Sequence, residues 1–186
     1  MTAFRCALLS LLLVSCAELP TVRSHLDPDT GVTLTVVTRP WIFARERRDV
    51  AVNARDYLTL VCAEIDEAGR RRLIVAAHEW STIDSRAAGL ASGATGKLLL
   101  VIDGRDIVLT PLPPNTTAFA RSRALLRPDD AHVRTTIYAV DRGALDYAAT
   151  GHDVVASFPD AALALPYLSW RDGRSAVSEL LRELGL

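Results

Sequence analysis

The stretch YLTLVCAEIDEAGRRRLIVAAHEW, residues 57–80, decides the fold of this chain. Two apolar runs, 57–65 and 71–80, flank the short connection 66–69, which ends in a glycine. This arrangement predicts a β-hairpin. In the second run, from Leu73 to His78, the residues that alternate to either face are largely apolar. A strand that is apolar on both faces is typical of the centre of a sheet that is covered on both sides.

Further strands are predicted on either side of this hairpin. The predicted strands cover residues 32–38, 41–45, 97–102, 105–112, 132–140, 152–158 and 161–167. These runs are rich in β-branched and aromatic residues. The dipeptide Asp103-Gly104 separates two of them, and such a pair predicts a tight hairpin turn in which Gly104 has a positive φ. Residues 48–56 favour a helical turn, residues 86–96 a loop, and residues 118–126 fit either a strand or a helix.

Helices are predicted at two places. Asp141 precedes the short candidate 141–149 and is a suitable cap. The C-terminus carries the strongest helical pattern, in which apolar residues recur at helical spacing from Val177 to Leu184 and Gly185 ends the run. Many short strands, little helix and no internal repeat predict a mainly β fold. We expect an antiparallel β-sandwich or an open barrel with a C-terminal amphipathic helix.

The N-terminus has a positive residue, Arg5, followed by an apolar run of about ten residues that ends at Cys16. A membrane-spanning helix needs about 20 apolar residues, so this run is too short to span. The sequence Leu13-Val14-Ser15-Cys16 resembles the lipobox of bacterial lipoproteins. The resemblance implies that a lipid is attached to Cys16 and that the chain is cut just before it. The alternative is an ordinary signal peptide with an incidental cysteine, although no Ala-x-Ala-like cleavage pattern is well placed.

The resemblance also implies a domain organisation and a location. Residues 1–15 form the signal peptide, residues 16–26 a lipidated tether, and residues 27–186 a single β-rich domain. In the Gram-negative pattern, Ala17 rather than an aspartate after the cysteine implies sorting to the outer membrane. We therefore expect a lipid-anchored protein of the cell envelope that faces the periplasm. The segments Ala54–Tyr57 and Trp80–Asp84 also resemble uncharacterised small envelope lipoproteins of Gram-negative bacteria.

Charge and cysteine usage exclude several classes of function. The formal net charge is −1, and loss of Arg5 with the signal peptide makes it −2. A near-neutral chain has no general attraction to nucleic acid or to an acidic membrane, so no nucleic-acid partner is predicted. With Cys6 removed and Cys16 lipidated, Cys62 is the one cysteine left in the mature sequence, which permits no intramolecular disulfide. Its apolar surroundings in the sequence predict a buried, inert thiol.

The sequence predicts no cofactor and no metal site. Asp29-Thr-Gly31 matches half of an aspartic protease site but has no second copy, so a turn is preferred. The glycine-rich stretch 89–97 lacks the first glycine and the final Ser or Thr of a phosphate-binding loop. The four histidines are scattered along the chain, which is the ordinary pattern for surface histidines.

The most polar short stretch beside a predicted core strand contains His78, Ser81 and Asp84. These residue types can supply a base, a nucleophile and an orienting acid, so they are the weak catalytic candidates. The preferred interpretation is a strand that ends where Ser81 starts a turn. The three tryptophans, Trp41, Trp80 and Trp170, each lie at a predicted strand end; if they gather on one surface, they indicate sugar or partner binding.

Three functions follow as hypotheses. The first is a non-catalytic binding or scaffolding domain, anchored to the membrane by its lipid and contacting an envelope protein partner. The second is a lipid-anchored hydrolase that uses His78 with a nearby serine and an acid. The third is an assembly role in which a long exposed edge strand accepts a strand from a partner.

Overall fold

A computed structural model describes residues 20–83, 96–129, 132–160 and 165–185 of the protein. Within these residues the chain forms ten strands and two α-helices. The strands are β1 Val22–Leu26, β2 Thr33–Val37, β3 Trp41–Glu46, β4 Arg55–Glu67, β5 Arg70–Ser81, β6 Leu98–Ile102, β7 Arg105–Leu109, β8 Arg134–Ala139, β9 Val154–Ser157 and β10 Tyr167–Arg171; the helices are α1 Arg142–Thr150 and α2 Arg174–Glu183. All strand pairs are antiparallel. The predicted mainly β class with a C-terminal helix is confirmed.

The β4–β5 hairpin is the longest ladder of the sheet. Its pairing runs without interruption from Asp56 with Ser81 to Glu67 with Arg70. The connection is shorter than the predicted 66–69, because β4 continues to Glu67 and β5 begins at Arg70. The turn consists of Ala68 and Gly69, with φ of 52° and 84°. Two successive positive φ values are typical of the tight turn whose twist matches that of the flanking strands.

Two different strands share the other edge of β4. β3 pairs with its first half and β2 with its second half, so the sheet divides into two branches at β4. One branch ends at β1, and the other continues through β10, β9 and β6 to β7. β5 pairs with β8 on its far side. The branch that ends at β7 curls back towards β8. Just after β7, Pro111 forms a bridge with Tyr138 of β8, and the Leu112 amide donates to the Ile137 carbonyl at 2.8 Å. The result is an open barrel.

Prolines limit the contact that nearly closes this barrel. Pro111 has no amide hydrogen, and Pro113 and Pro114 follow it, so the ladder cannot extend beyond a short bridge. For the same reason β7 stops at Leu109, although the sequence analysis predicted a strand to residue 112.

The two helices cover the inner face of the sheet at the end where β2 pairs with the second half of β4. α2 buries Ala176, Val177, Leu180 and Leu181, and it contacts β1, β2 and β4. α1 packs against α2. The predicted cap of α1 is confirmed, because an Asp141 carboxylate oxygen accepts from the Ala144 amide at 2.8 Å. Hydrophobic packing between these helices and the strands closes this end of the core.

Several local predictions are confirmed. The turn between β6 and β7 has φ of 48° at Asp103 and 79° at Gly104, as the Asp-Gly pair predicts. Strands β2, β3, β6, β8 and β9 lie within or close to their predicted ranges. Cys62 is buried, and burial raises the pKa of its thiol to about 12, so the thiol is protonated at neutral pH.

Other local predictions need correction. Residues 22–26, predicted to belong to the tether, form β1, because Val22 buries its side chain and the segment pairs with β2. Residues 48–56 form turns rather than a helical turn, and β4 starts at Arg55. The last predicted strand, 161–167, is misplaced: the strand begins at Tyr167, which inserts its ring into the core, and residues 161–164 lie outside the described residues.

The ambiguous segment 118–126 is neither strand nor α-helix. It contains the short 3-10 turns Ala118–Arg121 and Arg123–Leu125, which place Phe119 and Leu125 against the sheet. Most of the predicted loop 86–96 lies outside the described residues. No helix in the described part of the chain is long and apolar enough to cross a bilayer.

Candidate functional site

Of the three weak catalytic candidates, the structure describes His78 and Ser81, and these two lie on opposite faces of the sheet. His78 and Ser81 are three positions apart on the same strand, β5, and successive side chains of a strand alternate between faces. His78 therefore faces out of the barrel and Ser81 faces its interior. They do not form a base–nucleophile pair. Asp84, Cys16 and the stretch 89–95 lie outside the described residues.

His78 is a fully buried connector between the sheet and the segment that covers it. Its Nε2–H donates to the Leu125 carbonyl at 2.7 Å, which leaves Nδ1 of the neutral ring to accept from the Thr135 hydroxyl at 2.9 Å. Burial lowers the pKa of His78, the charge of Arg127 lowers it further, and the bond to Leu125 opposes them. Both ring nitrogens are thus occupied: Nε2–H holds the 118–126 segment against the outer face, and Nδ1 bonds to β8 within the sheet.

A network of buried charges lies inside the barrel, and its centre is Asp56. The Asp56 carboxylate is fully buried and accepts from Arg45 Nε at 2.9 Å and from Arg47 Nη1 at 3.1 Å. Ser81 donates its hydroxyl to the second carboxylate oxygen at 2.8 Å. Ser81 is therefore a hydrogen-bond donor within this network. It was a candidate nucleophile in the sequence analysis, and the structure gives it this different contact.

Glu79 extends the same network. Arg134, its cross-strand neighbour on β8, donates through Nε to Glu79 at 3.0 Å, and the Tyr167 hydroxyl donates to the other carboxylate oxygen at 3.3 Å. Burial raises the pKa of Glu79, while the positive charge of Arg134 opposes that rise. The Arg45 guanidinium also lies over the Tyr167 ring at 4.4 Å and so connects the two carboxylates.

The geometry of this network indicates a structural role for its members. Asp56 and Glu79 are almost completely shielded from solvent and are already paired with arginines. Buried ion pairs compensate the cost of removing their charges from water only when their remaining hydrogen-bonding positions are filled, as they are here. Within the described residues, no three His, Cys, Asp or Glu side chains form a group that fits a metal ion.

The outer face of the sheet carries an exposed aromatic surface, which we call the tryptophan patch: Tyr57, Trp80, Leu165, Leu168 and Trp170. Tyr57 and Trp80 are cross-strand neighbours whose rings stack at 4.3 Å. Trp170 meets Tyr57 in a T-shaped contact, with 6.3 Å between the ring centroids. Trp170 is 57% exposed, Leu168 59% and Leu165 46%, which is unusual for large apolar side chains that lie together.

A backbone irregularity places Trp170 on this surface. The pairing between β10 and β3 shifts between Ser169 and Arg171, so Trp170 is the extra residue of a β-bulge. Bulges redirect a side chain and are frequent beside functional sites. The Arg55 guanidinium lies over the Trp170 ring at 4.8 Å and holds it in place. The groove beneath the patch has a volume of ≈ 440 Å³.

Two of the three tryptophans belong to the patch, whereas Trp41 does not. Trp41 points into the barrel, where its indole Nε1 donates to the Ser169 hydroxyl at 3.3 Å. The sequence analysis missed Leu165, Leu168 and Arg55, because single exposed leucines and arginines have no pattern of their own. The predicted strand 161–167 ended before Leu168 and before the bulge between Ser169 and Arg171.

The assembly hypothesis requires a long exposed edge strand, whereas the edge strand β1 is short. β1 ends one branch of the sheet and has five residues, among them the charged Arg23. Short, charged edges are a common protection against pairing with another chain.

Comparison of the chain with protein-family models, with curated proteins and with solved structures gave no match. The functional argument therefore depends on the geometry of the described residues.

The first prediction concerns the buried network. Asp56→Asn should lower the free energy of unfolding by about 3–5 kcal/mol, because the buried Arg45 guanidinium loses its carboxylate. Arg47 keeps its second carboxylate, that of Asp49, at 3.0 Å. As a matched control, Glu179→Gln breaks an exposed ion pair with Arg182 and should cost less than about 1 kcal/mol. Urea unfolding of the three proteins provides the comparison. Equal losses for the two variants would contradict the structural role of the network.

The second prediction concerns His78. Because its pKa is lower in the folded protein than the ordinary value of about 6.5, the unfolded chain binds more protons below that pH. Stability should therefore fall as the pH decreases below about 6.5, by at most ~1.4 kcal/mol per pH unit. His78→Gln should lose this dependence. The raised pKa of Glu79 acts in the opposite direction in both proteins, so the difference between the two unfolding curves isolates His78. Parallel curves would contradict the burial of a neutral ring.

Proposed function

We propose that this protein is a lipid-anchored, non-catalytic binding protein of the bacterial cell envelope. It is held at the outer membrane through Cys16 and captures an envelope protein through the tryptophan patch. The lipobox resemblance supports the anchor. The single observation that carries the binding function is the exposed tryptophan patch with its bulged Trp170.

The composition of the patch favours a protein partner. Trp, Tyr and Arg are the residue types that dominate binding energy in protein interfaces, and the patch contains Trp170 and Tyr57 beside Arg55. The exposed Leu165 and Leu168 add aliphatic surface that suits an apolar side chain of a partner. All of these side chains project from strands or their immediate ends, so the surface is largely preorganised.

The same contacts argue against a sugar. Binding of a sugar ring needs an open aromatic face. Tyr57 and Trp80 stack on one another, with 14° between their planes, and one face of Trp170 is occupied by Arg55. The large exposed side chains of the patch, Leu165, Leu168 and Trp170, are apolar. An apolar side chain fits this surface better, because Arg55 already has the Glu46 carboxylate at 3.9 Å.

The anchor is tested by the mass of the protein. The wild-type protein purified from membranes should begin at Cys16 and carry the mass of a diacylglycerol and an acyl chain. Cys16→Ser should remove the added mass and release or mis-sort the protein, because attachment requires the thiol and two or three chains give stable anchoring. An unmodified Cys16 in the wild-type protein would contradict the anchor, and so would a modified Cys16→Ser form.

The binding surface is tested by crosslinking in cells. A photoreactive residue at position 168 should give a discrete adduct with one envelope protein, whereas the same residue at position 108, on the exposed Val108 of β7, should not. Mass spectrometry identifies the partner, which is then purified. Trp170→Ala should weaken its binding at least tenfold, and Val108→Ala should leave it unchanged.

Trp170 is more than half exposed, so Trp170→Ala should retain the melting temperature of the wild-type protein. Equal adducts at positions 168 and 108, or equal affinities of the two alanine variants, would contradict the tryptophan patch as the binding surface.

A further inference from the structure

The 118–126 segment covers the outer face of the sheet without pairing with it. Its turn Ala118–Arg121 contacts β8 and its turn Arg123–Leu125 contacts β2, so the segment crosses β5 and β4, which lie between these two strands. Four of its amides donate to carbonyls of residues 117–123 rather than to a strand, namely those of Ala120, Ser122, Leu125 and Leu126. The segment can therefore leave the sheet without breaking a ladder of backbone hydrogen bonds.

The face beneath the segment is apolar and buried. On β5, Ile74 and Ala76 alternate with His78 on this face, and their cross-strand neighbours continue it on β4, β8 and β2. Its members include Val36, Val61, Ala63, Ile74, Ala76 and Ile137, all of which are buried. Phe119 and Leu125 of the segment are buried as well. Release of the segment exposes this face to solvent.

Two titratable side chains hold the segment in place. His78 donates its Nε2–H to the Leu125 carbonyl at 2.7 Å, and the carboxylate of Asp27, between β1 and β2, accepts from the Ser122 hydroxyl. Burial raises the pKa of Asp27, but the bonds from Ser122 and from two backbone amides lower it by more, so the pKa lies below its usual value. Asp27 thus stays ionised in mildly acidic solution, where His78 is the one of the two that titrates.

The groups that face the His78 ring suit its neutral form. From the side of the segment these are the Leu125 carbonyl and the positive charge of Arg127, which follows the segment directly. From β8 it is the Thr135 hydroxyl, at 2.9 Å from Nδ1, and from β4 it is the uncharged Thr59, the cross-strand neighbour of His78.

The charged neighbours of His78 within the sheet lie on the opposite face. Glu79 and Arg134 project into the barrel, where they pair with each other. Within the described residues, no carboxylate contributes to the pKa of His78, which burial lowers. Release of the segment returns the ring to water and removes this opposition to a positive charge. A proton on His78 therefore favours the released conformation.

The end of the segment is also strained when it is closed. Leu126 has a φ of 51°, in the left-handed region that is costly for a leucine. Such a conformation persists only while the surrounding contacts enforce it. Weakening of the contact between His78 and Leu125, its immediate neighbour, thus acts on a segment that already tends to relax.

We propose that the 118–126 segment is an acid-sensitive cover of the outer face, which protonation of His78 releases locally while the rest of the sheet stays folded. The uncovered face adjoins the tryptophan patch. Trp80 is the next outward residue after His78 on β5, and its indole Nε1 donates to the Thr59 hydroxyl at 3.2 Å. Acidification thus enlarges the apolar outer surface beside the patch. This release depends on the contacts of the segment and not on the proposed protein partner.

Local release is tested by hydrogen–deuterium exchange of the full-length protein from about pH 7.5 to about pH 5.0, corrected for the intrinsic exchange rate at each pH. The four amides named above report opening of the segment, and the amides of the β4–β5 ladder report unfolding of the sheet. The opening constant of the segment should exceed that of the ladder at every pH. It should increase by up to about tenfold for each pH unit below about 6.5, and level off once His78 is charged in the closed form too.

His78→Gln retains a donor for the Leu125 carbonyl but does not titrate, so the opening constant of its segment should not change over this pH range. The matched control is His152→Gln, which removes a histidine whose side chain is 90% exposed and should respond as the wild-type protein does. Equal opening constants of segment and ladder at every pH would overturn local release. Equal pH responses of His78→Gln and the wild-type protein would overturn the role of His78.

If His78→Gln does not fold, Arg127→Gln replaces it. Arg127 is exposed, and loss of its charge should bring the pKa of His78 in the closed form nearer to its ordinary value. The total increase in the opening constant should then be smaller than in the wild-type protein. Arg142→Gln, at an exposed arginine of α1, is the matched control and should respond as the wild-type protein does. Equal responses of these two arginine variants would overturn the proposal.

Discussion

The long antiparallel ladder between β4 and β5 is the constraint on which the rest of the structure depends. Its other edge, along β4, is long enough to accept β3 on one half and β2 on the other, and this division creates two branches from one strand. One branch supports the C-terminal helix, and the other curls towards β8 as an open barrel. A shorter β4 would have a single neighbour on that edge, and the chain would form a simpler sheet without an interior.

Strand alternation then assigns every functional feature to a face. Asp56, Glu79 and Ser81 are directed inward, where arginines from β3 and β8 surround the carboxylates. Tyr57 and Trp80, their immediate neighbours, are directed outward, where they form the tryptophan patch with Trp170. The buried ionic network and the exposed aromatic surface thus share β4, β5 and β10 and occupy their opposite faces.

The sequence by itself determined the β class, the central hairpin, the turns at Gly69 and Gly104, and the C-terminal helix, because each of these depends on contacts or dihedral angles within a few residues. It also suggested the anchor at Cys16, which is a local pattern. Tertiary structure alone decided that His78 and Ser81 are separated by the sheet, that residues 22–26 add a strand, and that residues distant in sequence converge in the buried network and the tryptophan patch. The register between strands and the bulge at Trp170 control these placements, and both follow from packing across the whole sheet rather than from any short stretch of sequence.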